Sequence, residues 1–183
     1  GEESVRLGGQ EVHFDPGSAA IKVFDHDQGR ARPATLADCE AFARLTDRLP
    51  AMSLQSTCVV PADVPLETAD RARLRLALVH CRKPVVTGTF AGPSFEIMRG
   101  MLIAVRGSEE ALRRRPLAIF DCCPSPPLAW SELTCAVLVR CAQTGIPAEL
   151  VSMPLTGATA PVTLIGALCQ HTAENLSGVV IHQ

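Results

Sequence analysis

The sequence lacks the signals of several common protein classes. No apolar run approaches the ~20 residues of a membrane-spanning helix, and the polar first ten residues contain no apolar core of a secretory signal. The patterns G-x-x-x-x-G-K-[ST], G-x-G-x-x-G and G-x-S-x-G are absent, so a phosphate-binding loop, a dinucleotide fold and a hydrolase elbow are unsupported. The formal net charge of −2 implies no basic face, so neither nucleic acid nor a membrane is an expected partner.

The composition indicates a folded chain. With 183 residues, 47% of them hydrophobic and 20% charged, the chain is long enough to bury a core, and we interpret residues 1–183 as one domain. Charge is distributed unevenly. From residue 116 onward the only charged side chains are Arg140, Asp121, Glu132, Glu149 and Glu174. We expect so uncharged a segment to be packed on most sides, by the core or by another subunit.

Eight cysteines are an unusual number for this length. They are Cys39, Cys58, Cys81, Cys122, Cys123, Cys135, Cys141 and Cys169. Most lie in apolar periodic segments and no export signal precedes them, so we interpret them as buried free thiols of a protein in the reducing cytoplasm. A zinc site is weakly supported, because no CxxC occurs and the adjacent Cys122 and Cys123 are poorly spaced for chelation. We therefore predict no metal ligands.

Strand and helix patterns alternate along the chain. Short apolar or alternating runs predict strands at 11–15, 20–24, 53–60, 84–90, 117–121, 148–153 and 179–183. Apolar residues at helical spacing predict helices at 36–45, 66–81, 95–115, 131–144 and 161–177. Thr35 is the expected N-cap of the first helix, and the third helix is expected to break near Gly107 and Ser108. Gly145 and Gly178 are expected to end the last two helices.

This alternation predicts an α/β fold. Strands of about five residues followed by helices of about 12 to 15 are typical of right-handed βαβ units with a mainly parallel sheet. A complete (β/α)8 barrel needs eight strands and about 250 residues, so we expect either an open sheet or an incomplete TIM barrel. The apolar end of the chain, at 179–183, favours the incomplete barrel, because domains usually end at an exposed surface.

Several segments resemble one protein family, in the order of that family. The longest, at 151–168, contains M-P-L-T-G-A-T-A-P-V-T-L-I-G-A-L, and shorter ones are C-P-S-P-P-L at 123–128 and A-E-N-L at 173–176. From about His13 onward the chain is similar to the trimethylamine:corrinoid methyltransferase family. What the resemblance leaves unmatched is the helical N-terminal part of that family and the last part of its barrel.

The resemblance implies a TIM barrel that demethylates a tertiary or quaternary amine, such as trimethylamine or a betaine. It implies that the methyl group passes to the cobalt of a corrinoid. It also implies that the chain does not bind this corrinoid directly, because a partner corrinoid protein is expected to carry it and to dock over the mouth of the barrel. Because later barrel strands are expected to be missing, we expect the chain alone to be inactive and to associate as a homo-oligomer through an open edge strand.

Chemistry in a TIM barrel takes place at the carboxyl ends of the strands. The residues that we expect to converge at that rim and bind the substrate are Phe14, Asp15, Thr89, Asp121, Met153 and His182. A substrate cation needs an aromatic or acidic cage, and Asp121, which follows an apolar run, is the sharpest candidate. The alternatives are that Asp121 caps the next turn, that Phe14 belongs to the core and that His182 is a packed histidine.

The turn G-A-T-A-P at 157–161 allows two interpretations. In the first, its backbone N–H groups lie at a helix N-terminus and bind an anion or a carboxylate-bearing substrate. In the second, Gly157 relieves a tight turn and Pro161 occupies the first helical position.

Two other functions stay open from the sequence. The chain could belong to an unrelated α/β barrel enzyme that uses a metal held by its cysteines, or it could be a non-catalytic truncated barrel that binds a partner. A methyl-transfer assay with a corrinoid protein separates the methyltransferase from both, and metal analysis of the purified chain tests the metalloenzyme.

Overall fold

The computed structural model describes residues 3–183. The chain divides into two compact units, Gly1–Ile119 (unit 1) and Phe120–Gln183 (unit 2), and the division falls within a strand. In chain order the elements are β1 (Lys22–Asp25), β2 (Arg30–Pro33), α1 (Leu36–Arg48), β3 (Gln55–Ser56), α2 (Leu66–His80), β4 (Val85–Thr87), α3 (Ser94–Arg106), α4 (Glu109–Arg114), β5 (Ala118–Cys122), α5 (Glu132–Thr144), β6 (Ala148–Leu150) and α6 (Leu164–His182).

The fold is mixed α/β, with a parallel sheet of four strands in the order β3-β4-β5-β6. In unit 1, β3 pairs in parallel with β4, and Gln55 lies opposite Val85. In unit 2, β5 pairs in parallel with β6, and Phe120 lies opposite Ala148. Helices connect consecutive strands of the sheet, as the alternation predicts. The α/β prediction is confirmed, although most of these strands are shorter than predicted because the apolar runs extend beyond the residues that pair.

An antiparallel hairpin of β1 and β2 precedes this sheet. β1 overlaps the strand predicted at 20–24, whereas the pattern does not predict β2, because R-A-R-P presents no apolar face. The strand predicted at 11–15 is wrong, since these residues form no strand. Val12 and Phe14 alternate as a buried strand face would, but both are exposed, so no packing stabilises an extended pairing there.

Helix α1 begins with a capping box at the predicted N-cap, Thr35. The Thr35 hydroxyl accepts a hydrogen bond from the N–H of Asp38 at 3.4 Å, and the Asp38 carboxylate accepts one from the N–H of Thr35 at 2.8 Å. The guanidinium of Arg32 donates to both oxygens of Asp38, at 2.7 and 2.9 Å. These hydrogen bonds from Arg32 are the main reason that the pKa of Asp38 lies well below its ordinary value. The box therefore ties α1 to the hairpin.

The predicted break in the helix at 95–115 is confirmed. α3 ends at Gly107, whose φ of 95° is left-handed, and α4 begins after Ser108, whose hydroxyl accepts a hydrogen bond at 3.1 Å from the backbone N–H three residues later. Glycine adopts the left-handed conformation without the clash of a Cβ, which is why it ends helices. Helix α5 has ends of the same kind: Ser131, predicted as its first residue, is its N-cap, and Gly145 ends it as predicted.

Helix α6 begins and ends later than predicted. It begins at Leu164 after the N-cap Thr163, not at Pro161, and it continues to His182. The strand predicted at 179–183 is therefore wrong. A short apolar run can form the last turn of a helix as well as a strand, and periodicity alone does not separate the two.

Gly178 lies within α6 rather than at its end, so the predicted helix stop is also wrong. A Cβ at this position would lie 2.8 Å from a methyl carbon of Leu150 and 3.0 Å from the indole of Trp130. Such distances are shorter than van der Waals contact. A larger side chain here would displace the Leu150 methyl groups and the Trp130 indole, so glycine permits this close packing of α6 on β6 and does not form a left-handed turn.

Each unit buries its own apolar side chains. In unit 1 these include Leu74, Val85, Met98 and Leu102, and in unit 2 they include Phe120, Leu138 and Cys141. Part of the charge-poor segment is nevertheless exposed in the single chain, because α6 directs Leu164, Ile165 and Leu168 outward. Over residues 3–183, no helix combines the length and the apolar character that crossing a membrane requires.

Candidate functional site

Unit 1 brings hydroxyl, cationic and aromatic groups together where β3 and β4 end. The hydroxyl of Thr57 donates to that of Thr87 at 3.2 Å. The buried Arg73 of α2 donates to the carbonyl oxygen of Thr57, and its guanidinium carbon lies 4.9 Å from the ring centroid of Phe90. This is a cation–π arrangement. The face of Phe90 at this end of the strands is thus occupied by a cation of the protein itself.

The segment that follows β4 is anchored by Asp70 of α2. One carboxylate oxygen accepts a hydrogen bond from the N–H of Phe90 and the other from the N–H of Arg71, both at 2.7 Å. Asp70 is fully buried, and hydrogen bonds to a carboxylate in such a setting are stronger than those between neutral groups. They hold the backbone beside Thr89, which is half-buried just after β4.

Phe14 and Asp15 lie beside the beginning of β3. The carbonyl oxygen of Phe14 accepts a hydrogen bond from the N–H of Leu54 at 3.1 Å, and the Phe14 side chain is 62% exposed. Asp15 accepts a hydrogen bond from the N–H of Gly17 at 2.7 Å and so caps the turn between them. The expectation that these two residues end a strand is wrong, because no strand forms there. Their contact with substrate stays a prediction.

In unit 2, two carboxylates point to the face of the sheet opposite α5 and α6. Cys122 of β5 contacts α5 through its thiol, and Leu150 of β6 packs against α6. Because successive side chains of a strand point to opposite faces, Asp121 and Glu149 point away from these helices. The two are register partners on adjacent parallel strands. Neighbouring carboxylates make this face attractive to a cation.

Asp121 accepts a hydrogen bond from the thiol of Cys123, with 3.2 Å between Sγ and Oδ1. Burial, and then the carboxylate of Asp121, raise the pKa of the Cys123 thiol to about 12. Cys123 is therefore protonated at neutral pH and is a donor rather than a nucleophile. Asp121 itself is half-buried near the carboxyl end of β5, where the sequence predicted it.

A buried carboxylate joins the segments that follow β5 and β6. Glu174 of α6 is 2% exposed. One of its oxygens accepts hydrogen bonds from the N–H of Leu128 and from Nε2 of Gln170, both at 2.9 Å, and the other accepts one from the hydroxyl of Ser152. Burial raises the pKa of Glu174, but these hydrogen bonds outweigh burial and leave its pKa below the ordinary value. Glu174 is therefore ionised at neutral pH.

The turn at 157–161 satisfies its own backbone. The three N–H groups at 158–160 all donate to the carbonyl oxygen of Leu155, at 2.9–3.0 Å, and the first residue of the turn has a φ of 80°. These N–H groups are thus directed into the turn and not toward a ligand. The structure favours the tight-turn interpretation of this motif over the anion-binding one, although Pro161 precedes the helix instead of beginning it.

Met153 and His182 lie in different settings within unit 2. Met153 follows β6 and is exposed. His182 lies in the last turn of α6, so its expected position at a strand end is wrong. Thr89, Asp121 and Met153 keep the strand-end position that the sequence predicted. The convergence of all six residues at one rim stays a prediction.

Four charged side chains that organise these regions were not among the predicted site residues. They are Asp70, Arg73, Glu149 and Glu174. The signal for Glu174 was a lone acid inside a charge-poor apolar helix, where burial is costly unless the charge is paired. Glu149 could have been found from the alternation of A-E-L beside Asp121 on the preceding strand. Arg73 lies among other arginines of α2 and had no distinguishing signal.

The cysteines are free thiols of different accessibility. Five are buried, Cys123 and Cys135 are half-buried, and Cys169 is exposed. In the part of the chain from residue 3 onward, no group of three or more His, Cys, Asp or Glu side chains is placed to hold a metal ion.

Comparison with known proteins identifies the class. The chain belongs to the trimethylamine methyltransferase (MTTB) family, whose model matches residues 1–183. The resemblance seen in the sequence segments is thereby confirmed.

Individual relatives differ in the substrate that their names give. The chain is 30% identical over 182 residues to the trimethylamine methyltransferase MttB of Desulfitobacterium hafniense, covering 100% of this chain and 37% of the relative. The MttB of Methanosarcina barkeri is also 30% identical, over 98% of this chain and 37% of the relative. A glycine betaine methyltransferase of Desulfitobacterium hafniense is 26% identical over 100% of this chain and 38% of the relative. The chain thus spans a little over a third of the length of these curated relatives.

Proposed function

We propose that the complete protein containing residues 1–183 transfers a methyl group from a tertiary or quaternary amine, such as trimethylamine or a betaine, to the cobalt of a corrinoid. In this proposal a separate corrinoid protein is the partner and carries the acceptor, and this chain binds the amine. The observation that carries the proposal is the family match along the whole chain. The names of the relatives, which include trimethylamine and glycine betaine methyltransferases, support a methylated amine as the donor.

We further propose that the parallel strands and their helices are part of a (β/α)8 barrel. The parallel strand order with helical connections supports this architecture. In such a barrel the strand faces that point away from the helices form the interior, and the carboxyl ends of the strands form the mouth. Asp121 and Glu149 then face the interior, close to the mouth.

An acidic cage for the substrate cation is favoured over an aromatic one. One face of the Phe90 ring is covered by the guanidinium of Arg73, and Phe120 is fully buried, so Phe14, which is 62% exposed, is the remaining aromatic candidate. A half-buried carboxylate such as Asp121 attracts a cation more strongly than a carboxylate in water, because the local dielectric constant is lower. Desolvation of the charges offsets part of this gain.

The reaction depends on positioning. The methyl carbon must lie in line between the nitrogen and the acceptor, and holding it there supplies much of the rate. The C–N bond breaks with its electron pair left on nitrogen, while the reduced corrinoid of the partner supplies the nucleophile. For protonated trimethylamine the product is dimethylamine, with the proton kept on nitrogen. The part of this chain is to bind the cation, to orient one methyl group toward the mouth and to exclude water.

The test is methyl transfer by the complete protein. The protein is mixed with a reduced corrinoid protein and, in turn, trimethylamine, dimethylamine and glycine betaine, and methylation of cobalt is followed by absorbance. We expect turnover with trimethylamine or glycine betaine, none with the secondary amine dimethylamine and none without the corrinoid protein. A folded protein that methylates the corrinoid with no amine of the panel contradicts the proposal.

Asp121→Asn should weaken binding of the amine by about 1–3 kcal/mol, the scale of losing a charged partner for a polar group. Asparagine keeps the size of the side chain and one acceptor for the thiol of Cys123, so the loss reports on charge. The measurement is calorimetric titration of the amine, with circular dichroism to verify folding. Glu132→Gln, at an exposed acid of the first turn of α5, is the control and should bind as the wild type does. If folded Asp121→Asn binds the amine as tightly as wild type, the prediction is wrong, and Asp121 serves only as the hydrogen-bond partner of Cys123.

A further inference from the structure

Three segments of unit 2 meet at two neighbouring side chains of α6. Glu174 accepts from Leu128, in the turn that follows β5, and from Ser152, which follows β6. Gln170, one helical turn earlier, donates to Glu174 at 2.9 Å and to the carbonyl oxygen of Thr159 at 2.7 Å. The two side chains thus connect the turn at 123–128, the end of β6 and the turn at 157–161 to one helix.

The geometry of Glu174 indicates how this connection works. Its carboxylate is buried, and donors from three separate places in the chain occupy its two oxygens. Burying a carboxylate is costly unless hydrogen bonds stabilise the charge. The arrangement with all three donors in place is therefore strongly preferred over arrangements in which one segment has moved away.

We infer that Glu174 is a positioning residue for the amine site at the ends of β5 and β6. Its carboxylate holds the segment after Asp121 and the segment before Met153 in a single relative arrangement, without touching the substrate. The inference rests on the proposed function and deepens it. It states that hydrogen bonds to Glu174 of α6, a helix outside the amine site, fix the positions of the segments that form the site.

Two variants distinguish a positioning role of Glu174 from a role in which its negative charge attracts the amine. Glu174→Gln removes the negative charge but keeps one oxygen for Leu128 and Gln170, and its amide can donate to the hydroxyl of Ser152, which also accepts. Glu174→Ala removes the charge and every hydrogen bond. A positioning role predicts that the Gln variant binds the amine within about threefold of wild type and the Ala variant at least about tenfold more weakly. An electrostatic role predicts equal losses in both.

Trp130 provides a readout that does not depend on activity. It is the only tryptophan of the chain. Its Nε1 donates to the hydroxyl of Ser177 at 2.9 Å, and that hydroxyl donates to the carbonyl oxygen of Glu174 at 2.7 Å. The indole lies two residues after Leu128, so movement of the 123–128 turn changes its exposure. We expect acrylamide to quench Trp130 more strongly in Glu174→Ala than in wild type or Glu174→Gln.

The experiment measures amine affinity, kcat, KM and Trp130 quenching in the complete protein. The variants are Glu174→Gln, Glu174→Ala and the exposed control Glu132→Gln, with circular dichroism and unfolding midpoints for each. A positioning role is supported when the Ala variant is folded, binds the amine weakly and shows a more accessible Trp130, while the Gln variant restores all three properties.

Three results would overturn the inference, and they differ from failure of the proposed function. Equal losses in the Gln and Ala variants indicate a charge effect. An Ala variant that loses stability but keeps wild-type affinity and KM in its folded fraction indicates a structural role only. An Ala variant with unchanged quenching shows that Glu174 does not hold the turn. A wild-type protein that binds no methylated amine instead contradicts the proposed function, and with it the site that Glu174 is inferred to serve.

Discussion

Asp38 shows how one side chain can bind parts of the chain that are close in sequence but belong to different elements. It accepts hydrogen bonds from the backbone N–H and the hydroxyl of Thr35, each at 2.8 Å, and from the guanidinium of Arg32 in β2. The first two begin α1, and the last connects that helix to the hairpin. Hydrogen bonds to the ionised form also lower the pKa of Asp38, so the contribution of this residue to stability depends on pH.

Asp38→Asn should lower the free energy of unfolding by about 1–2 kcal/mol at pH 7, the scale of losing a helix cap with its charged partner. The folded-state pKa lies below the unfolded value of ~3.9, so the stabilisation is present above that pH and is lost as pH falls through the folded-state pKa. The difference in the free energy of unfolding between wild type and Asp38→Asn should therefore become smaller below about pH 4. Urea unfolding at pH 7 and pH 3 measures it. Asp27→Asn, in the exposed hairpin turn, is the control, and a difference that is constant with pH contradicts the argument.

At the scale of elements, capping residues predicted the ends of helices better than apolar runs predicted the positions of strands. Thr35, Ser108 and Gly145 lie at helix ends as expected, because capping is a local interaction between residues a few positions apart. The apolar runs did less well, since a strand exists only where another strand pairs with it. The alternating run at 11–15 has no such pairing.

Two glycines of the same helix region should respond to alanine in opposite directions. Gly107→Ala should destabilise the protein by about 1–2 kcal/mol, because its φ of 95° places an alanine Cβ in a strained left-handed conformation. Gly100→Ala, in the interior of α3, should stabilise it by about 0.5–1 kcal/mol through lower backbone entropy in the unfolded state. Neither Cβ would meet an atom within 4 Å, so conformation alone decides the sign. Unfolding midpoints in urea test the pair, and a shift in the same direction for both would refute this reasoning.

At the scale of the whole molecule, the cysteines report on how completely the chain is folded. Under native conditions a thiol reagent should modify Cys169 rapidly, because it is the exposed cysteine, and the five buried thiols slowly. Burial also raises the pKa values of Cys39, Cys58 and Cys81, which lowers the reactive thiolate fraction. In denaturant all eight should react. Replacing Cys169 with serine should remove the fast phase, whereas several fast thiols in the native protein, or fewer than eight in denaturant, would contradict the structure.

The sequence by itself determined the class of fold, most helix boundaries and the family. The alternation of apolar periods, the caps and the long family-like segment at 151–168 are all local properties, legible without knowledge of what packs against what. The same reasoning placed Asp121, since an acid at the end of an apolar run marks a strand end.

Only the tertiary structure decided what depends on neighbours distant in sequence. Gly178 lies inside α6, where Leu150 and Trp130 approach its backbone closely, and does not end the helix. His182 therefore lies on α6 and not on a strand. Glu174 became a central residue because its partners Leu128 and Ser152 are brought to it by the fold from 46 and 22 positions away. Contacts of this kind arise from packing of separate elements, and no local pattern encodes which of them will meet.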